Sequence, residues 1–146
     1  MKILKSLLPY IIILIVVVLI RTFIITPAVV NGDSMKDTLL DNEVVLVNKL
    51  YVKTNDIKRF DIVVINEGGE HIVKRIIGLP GEKVEYKNNV LYIDDKEIKS
   101  ELSFDNTEDF VYEQVEDNKY FVLGDNREVS KDSRIIGTID KDVMKG

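Results

Sequence analysis

His71-Ile72-Val73-Lys74-Arg75-Ile76-Ile77-Gly78-Leu79-Pro80-Gly81 is the stretch that decides the fold. β-branched residues crowd its first half, and Leu79-Pro80-Gly81 ends it in a turn, which predicts a strand. On a strand alternate side chains share a face, so Ile72, Lys74 and Ile76 point one way and His71, Val73 and Arg75 the other. The first face sets an ammonium between two apolar neighbours. Desolvation disfavours a charged amine and lowers its pKa, the condition a lysine general base needs. A lysine whose stem packs while its head reaches water is the commoner outcome, and at this level both readings stand. Parity also parts His71 from Lys74. A Ser/His/Asp triad would require this lone histidine to meet Ser34, so the two proposals compete, and His71 is expected at the surface or on an edge strand.

Similar short β-branched runs lie on either side, at 44–47, 62–65, 90–93 and 120–123. Turn residues separate them, among them Glu67-Gly68-Gly69, Asn88-Asn89 and Asp94-Asp95. Asn88-Asn89 between two alternating segments predicts a two-residue hairpin, because Asn tolerates φ > 0. No apolar stripe of helical period and useful length follows Pro27. The expected body, residues 26–146, is therefore mainly β, with one core. The segment 103–109 is the most polar and is expected to be an exposed loop. There is no internal repeat and no low-complexity tract.

Upstream the composition changes. Residues 3–25 hold eighteen apolar residues in twenty-three, and every Asp and Glu of the chain lies from Asp33 onward. The uncharged run from Ser6 to Ile20 reaches only about 23 Å as a helix, but Lys5 and Arg21 can snorkel and Phe23, Ile24 and Ile25 extend the apolar face. Residues 1–25 are thus expected to form one transmembrane helix. A cleavable signal peptide is the rival reading, with Thr26-Pro27-Ala28 as a small-x-small site. Arg21 directly after the apolar run favours an uncleaved anchor. Lys2, Lys5 and the α-amino group outweigh Arg21, which places the N-terminus in the cytoplasm and the body outside.

The 146 residues carry a formal net charge of −5. That sum hides a body of −8 once the three basic residues of the anchor, Lys2, Lys5 and Arg21, are set aside. Such a body is poorly suited to phosphate backbones, so nucleic acid is not an expected partner. No cysteine and a single histidine exclude a disulfide framework, a thiolate zinc site and a multi-histidine metal site. Neither a metal nor a cofactor is expected.

Two further segments stand apart from sheet filler. Asn31-Gly32-Asp33-Ser34-Met35-Lys36-Asp37-Thr38-Leu39 has a glycine two residues before a serine, a backbone that can expose a hydroxyl; such clusters are also common in plain turns. Gly124-Asp125-Asn126-Arg127-Glu128-Val129-Ser130-Lys131-Asp132-Ser133-Arg134 is dense in hydrogen-bonding groups, which suits either a site or a solvated loop tied by weak Asp–Arg pairs.

Taken in order after an N-terminal anchor, these segments resemble the bacterial type I signal peptidases, membrane-bound Ser-Lys proteases that remove signal peptides from exported preproteins. The resemblance rests on Gly-Asp-Ser-Met-x-x-Thr-Leu at 32–39, Phe60-Asp61-Ile62-Val63-Val64, the strand 73–81, and Gly124-Asp125-Asn126-Arg127 with Ser130, Asp132, Ser133, Arg134 and Gly137. It implies a compact all-β Ser-Lys protease body, of the form typical of Gram-positive bacteria. It implies Ser34 as nucleophile, its backbone N–H as oxyanion donor, Lys74 as general base and Ser130 as the residue orienting the lysine. Asp132 and Arg134 match the paired charges that brace the loop, with Arg127 in the same network. Val30, Met35, Leu39, Ile72 and Val73 lie in or beside the motifs and are expected to line the shallow pockets that read small-x-small sites. The implied partners are signal-peptide-bearing preproteins and the lipid bilayer, beside the secretion translocon.

The chain departs from the family's pattern at Asp37, where proline is usual, and at Val129, where asparagine is usual beside the orienting serine. Gly32 stands where some relatives carry a second, side-chain oxyanion donor. The alternative of a different class is a membrane-tethered inactive paralogue or a β-binding module.

Overall fold

The computed structural model describes residues 2–54, 57–100, 102, 104 and 106–146. Helix α1, Lys2–Phe23, opens the chain. At about 1.5 Å per residue it is long enough for a bilayer core, and the window Ser6–Phe23 has a mean hydropathy of 2.5 with its side chains exposed. The body begins at once: Thr26 donates to the Arg21 carbonyl at 3.1 Å and Lys49 Nζ to that of Thr22 at 3.2 Å.

Three antiparallel sheets follow. Strands β1 (Ile25–Val29) and β2 (Val44–Asn48) pair with each other, with the loop 30–43 between them. The central sheet has the order β10-β9-β4-β3, from β3 (Ile62–Glu67), β4 (Glu70–Gly78), β9 (Lys119–Leu123) and β10 (Ile139–Asp140). A smaller sheet orders β7 (Lys96–Glu97), β6 (Val90–Ile93), β5 (Val84–Lys87) and β8 (Phe110–Tyr112). Helices α2 (Tyr51–Thr54) and α3 (Ser133–Ile136) are single turns. The predicted mainly β body after one apolar helix is what the chain forms.

Each predicted run became a strand. Asn88 and Asn89 take φ of 50° and 63°, the left-handed pair that a two-residue hairpin of matching twist requires. The central sheet is buried on both faces. Ile65, Ile76 and Val122 pack into one core cluster, whereas Ile77, Phe121 and Leu123 join Val84, Tyr86, Leu91 and Val115 in the other. That explains why the runs at 76–77 and 120–123 are continuously apolar. The outer edge of β3 is not bare: Lys145 N–H donates to the Val64 carbonyl at 2.8 Å, and Val64 N–H to that of Gly146 at 2.7 Å.

The segment 103–109, of which Ser103 and Asp105 lie outside the described residues, is a loop with Asn106, Glu108 and Asp109 exposed as expected, but Thr107 is buried and Phe104 half-buried. Thr107 Oγ1 accepts a hydrogen bond from Arg127 Nη1 at 2.6 Å, so the loop also turns a polar contact inward.

Candidate active site

Strand pairing sets Lys74 opposite Val63 and Ile72 opposite Ile65, on the face of β4 that Ile76 shares. Lys74 is 3 % exposed, and its amine has no hydrogen bond or ion pair with a described residue. Burial pushes its amine below the ordinary lysine value; Arg134 adds to the effect, and the carboxylates of Asp132 and Asp125 oppose it. A buried, unpaired amine of this kind is able to accept a proton.

Lys74 lines a cleft of about 700 Å³. The loop 30–43 supplies the facing wall with Asn31, Gly32, Asp33 and Ser34. Met35 is buried beside a half-exposed Ser34, which fixes the loop from within while Ser34 stays on the cleft wall. Gly32 N–H is engaged by Asp41 Oδ1 at 2.7 Å. Ser34 and Lys74 thus share one cleft without a direct hydrogen bond.

The third wall comes from the loop after β9, with Val129, Lys131 and, from α3, Ile136. Gly124 is the hinge between the walls. Its N–H donates to Asp132 Oδ2 at 3.1 Å, and a Cβ built on it would collide with Ser130 and with the Ser34 carbonyl. The backbones of the serine loop and the loop after β9 also meet directly, Asn126 N–H donating to the Ser34 carbonyl at 3.1 Å. Asp132 is fully buried and receives Arg134 Nε and Nη2, each at 2.9 Å. Arg134 Nη2 also donates to the Arg127 carbonyl at 2.7 Å, so Arg127, Asp132 and Arg134 form one network. Ser130 Oγ is buried beside it with no hydrogen-bond partner among the described residues.

The five apolar candidates divide. Ile72 lines the cleft. Leu39 and Val73 line a separate groove against β2 and β3, on the other face of β4. Val30 and Met35 are buried, 2 % and 1 % exposed. His71 is exposed and pairs across to Asn66 on β3.

Sequence reasoning missed a second network. Arg75, on the face opposite Lys74, donates Nε and Nη2 to Asp125 at 2.8 and 2.6 Å, and the Thr38 hydroxyl donates to the same carboxylate. The signal was present: parity turned Arg75 into the body, where a buried guanidinium requires an acid partner. This network ties the serine loop, β4 and the loop after β9 together.

Known proteins are similar to this chain over most of its length. The signal peptidase I of Bacillus amyloliquefaciens is 46 % identical over 135 residues, covering 85 % of this chain and 73 % of that protein. Signal peptidase I S of Bacillus subtilis is 48 % identical over 128 residues, covering 80 % and 70 %. Signal peptidase IB of Staphylococcus aureus is 39 % identical over 152 residues, covering 90 % and 80 %. A crystal structure of a signal peptidase I from Enterococcus faecalis superposes with a TM-score of 0.58 at 34 % identity, over 63 % of this chain and 96 % of that one. The family described as signal peptidase, peptidase S26 matches residues 3–146, and with that span the chain belongs to it.

Proposed function

We propose that this signal peptidase family member, a serine-type peptidase, cleaves signal peptides from exported preproteins with Ser34 as nucleophile and Lys74 as general base. The observation that carries the reading is a buried, unpaired lysine on the wall of the cleft that Ser34 also lines. Neutral Lys74 takes the Ser34 proton as Oγ attacks the scissile carbonyl carbon. The oxyanion that forms is stabilised by the Ser34 N–H; Gly32 brings no side-chain donor. Collapse of the tetrahedral intermediate breaks the C–N bond, and the departing amine takes the proton from the Lys74 ammonium. Lys74 then deprotonates the water that hydrolyses the acyl ester, which frees Ser34.

Substrate recognition follows from the sheet. Strand β9 pairs with β4 only from Arg75 onward, so residues 70–74 have β3 on one side and, among the described residues, no strand partner on the other. That half-edge borders the cleft through Glu70, Ile72 and Lys74. An extended peptide adds there as a strand, with Ile72 against a small side chain near the scissile bond.

The anchor fits the same reading. Ser34 lies nine residues after Ile25, at most about 31 Å of chain, which keeps the nucleophile near the bilayer. The N-terminus is cytoplasmic, the helix passes once, and the body acts outside, where a translocated chain presents its cleavage site.

The test is incubation of the detergent-solubilised chain with a preprotein, beside Ser34→Ala and Lys74→Ala, read by mass spectrometry. Cleavage after a small-x-small site by the parent alone is expected. Equal processing by either variant sinks the mechanism, and no processing by the parent favours an inactive paralogue.

A further inference from the structure

Arg127 is 3 % exposed, yet among the described residues no carboxylate pairs with it and its Nη2 has no hydrogen-bond partner. A buried charge normally needs an acid. Among the described residues its neighbours are aromatic: the guanidinium carbon stands 4.5 Å from the centroid of the Phe104 ring and 5.0 Å from that of Tyr86. Both rings belong to the smaller sheet or to the loop between its strands β7 and β8. The negative ring face attracts a cation, and the more so where water is excluded.

Arg127 is also the hub of the loop that bears on Lys74. Its Nε donates to the Gly124 carbonyl at 2.9 Å, its own carbonyl receives Arg134, and Arg134 holds Asp132. Phe104 touches the second network as well, with the Arg75 guanidinium carbon 5.6 Å from its centroid. One side chain therefore contacts both guanidiniums: the one that ties down the serine loop through Asp125 and Thr38, and the one that closes the loop carrying Ser130 and Asp132. The loop that carries Phe104 is itself pinned, since Thr107 N–H donates to Asn89 Oδ1 at 3.0 Å and Asn88 N–H to Asp109 Oδ1 at 2.8 Å.

We propose that Phe104 is a positioning residue for the reaction: by facing Arg75 and Arg127 it couples the smaller sheet to the two loops that set Ser34, Ser130 and Asp132 around Lys74. This rests on the Ser34–Lys74 reading above. It also gives the smaller sheet a role in turnover, although none of its described residues lines the cleft.

The experiment compares the full chain in detergent with Phe104→Leu, Phe104→Tyr and, as a blank, Ser34→Ala, on one peptide with a small-x-small site. Leucine keeps the apolar volume and removes the ring. Phe104→Leu is expected to lower kcat about tenfold while KM stays within about twofold, and Phe104→Tyr to restore it. Amide exchange in residues 124–134 is expected to quicken in Phe104→Leu only. A Phe104→Leu enzyme with the parent's kcat overturns the proposal, as does a Phe104→Tyr enzyme no better than Phe104→Leu. If the parent itself fails to cleave, the catalytic reading has failed, and amide exchange decides the coupling alone: unchanged exchange in Phe104→Leu overturns it.

Discussion

Arg75 and Asp125, fifty residues apart in sequence, meet in a buried salt bridge of 2.6 Å that also holds the Thr38 hydroxyl of the serine loop. Removing one partner leaves the other charge buried and uncompensated. Asp125→Ala or Arg75→Ala is expected to cost about 3–5 kcal/mol, and the double variant less than the sum. Urea unfolding in detergent measures both; additive losses would show that the pair is not coupled.

The lowered pKa of Lys74 fixes the pH dependence of turnover. The neutral amine is the active form, so kcat/KM rises with pH and levels off below the ordinary lysine value of about 10.5. A rate that peaks near pH 5 is incompatible with a lysine base.

Stability follows the same group with the opposite sense from a paired lysine. The folded state holds the Lys74 proton less tightly than the unfolded state does, so between the lowered value and about 10.5 the unfolded chain binds more protons. Stability attributable to Lys74 therefore rises with pH through that window, and below it the burial penalty is present in full. Lys74→Met is expected to abolish cleavage and yet raise the neutral-pH Tm by about 2–5 °C. A fall in Tm would indicate a compensating partner for the amine.

Gly124 admits no side chain, because a Cβ there collides with Ser130 and the Ser34 carbonyl. Gly124→Ala must push the two loops apart, with a stability loss of about 1–3 kcal/mol. The kcat loss is expected to be larger than that of any apolar lining substitution such as Ile72→Val, as peptide kinetics on the two variants will show.

Asp37 takes φ of 80°, in the left-handed region. Proline is held near −65°, so the residue usual at this place in relatives does not fit this loop as it is built here. Asp37→Gly is expected to stabilise by about 1 kcal/mol and Asp37→Pro to destabilise, both by thermal unfolding. A stabilising proline would mean that the serine loop has a second conformation.

Strand parity carried much of the site. Ile72, Lys74 and Ile76 share a face because the period of a strand is two, and the same parity put His71 elsewhere. The hairpin at Asn88-Asn89 was legible for a local reason too, its need for φ > 0. What escaped the sequence is contact at long range. Thr38, Arg75 and Asp125 each sit inside a motif, but nothing local says that they converge. Phe104 lies in a tract whose polarity suggests solvent, and only folding reveals two guanidiniums beneath its ring. The division of the apolar candidates is of the same kind: Ile72 and Val73 are neighbours in sequence and reach different grooves.

The carboxyl-terminal residues lie along β3, with hydrogen bonds between Val64 and both Lys145 and Gly146. An enzyme that meets unfolded polypeptide is exposed to its own substrate as a sheet-building material, ready to add to any bare strand. In the central sheet residues 145–146 take up the backbone groups of Val64, so at this point the flank of β3 offers an incoming chain no free donor or acceptor.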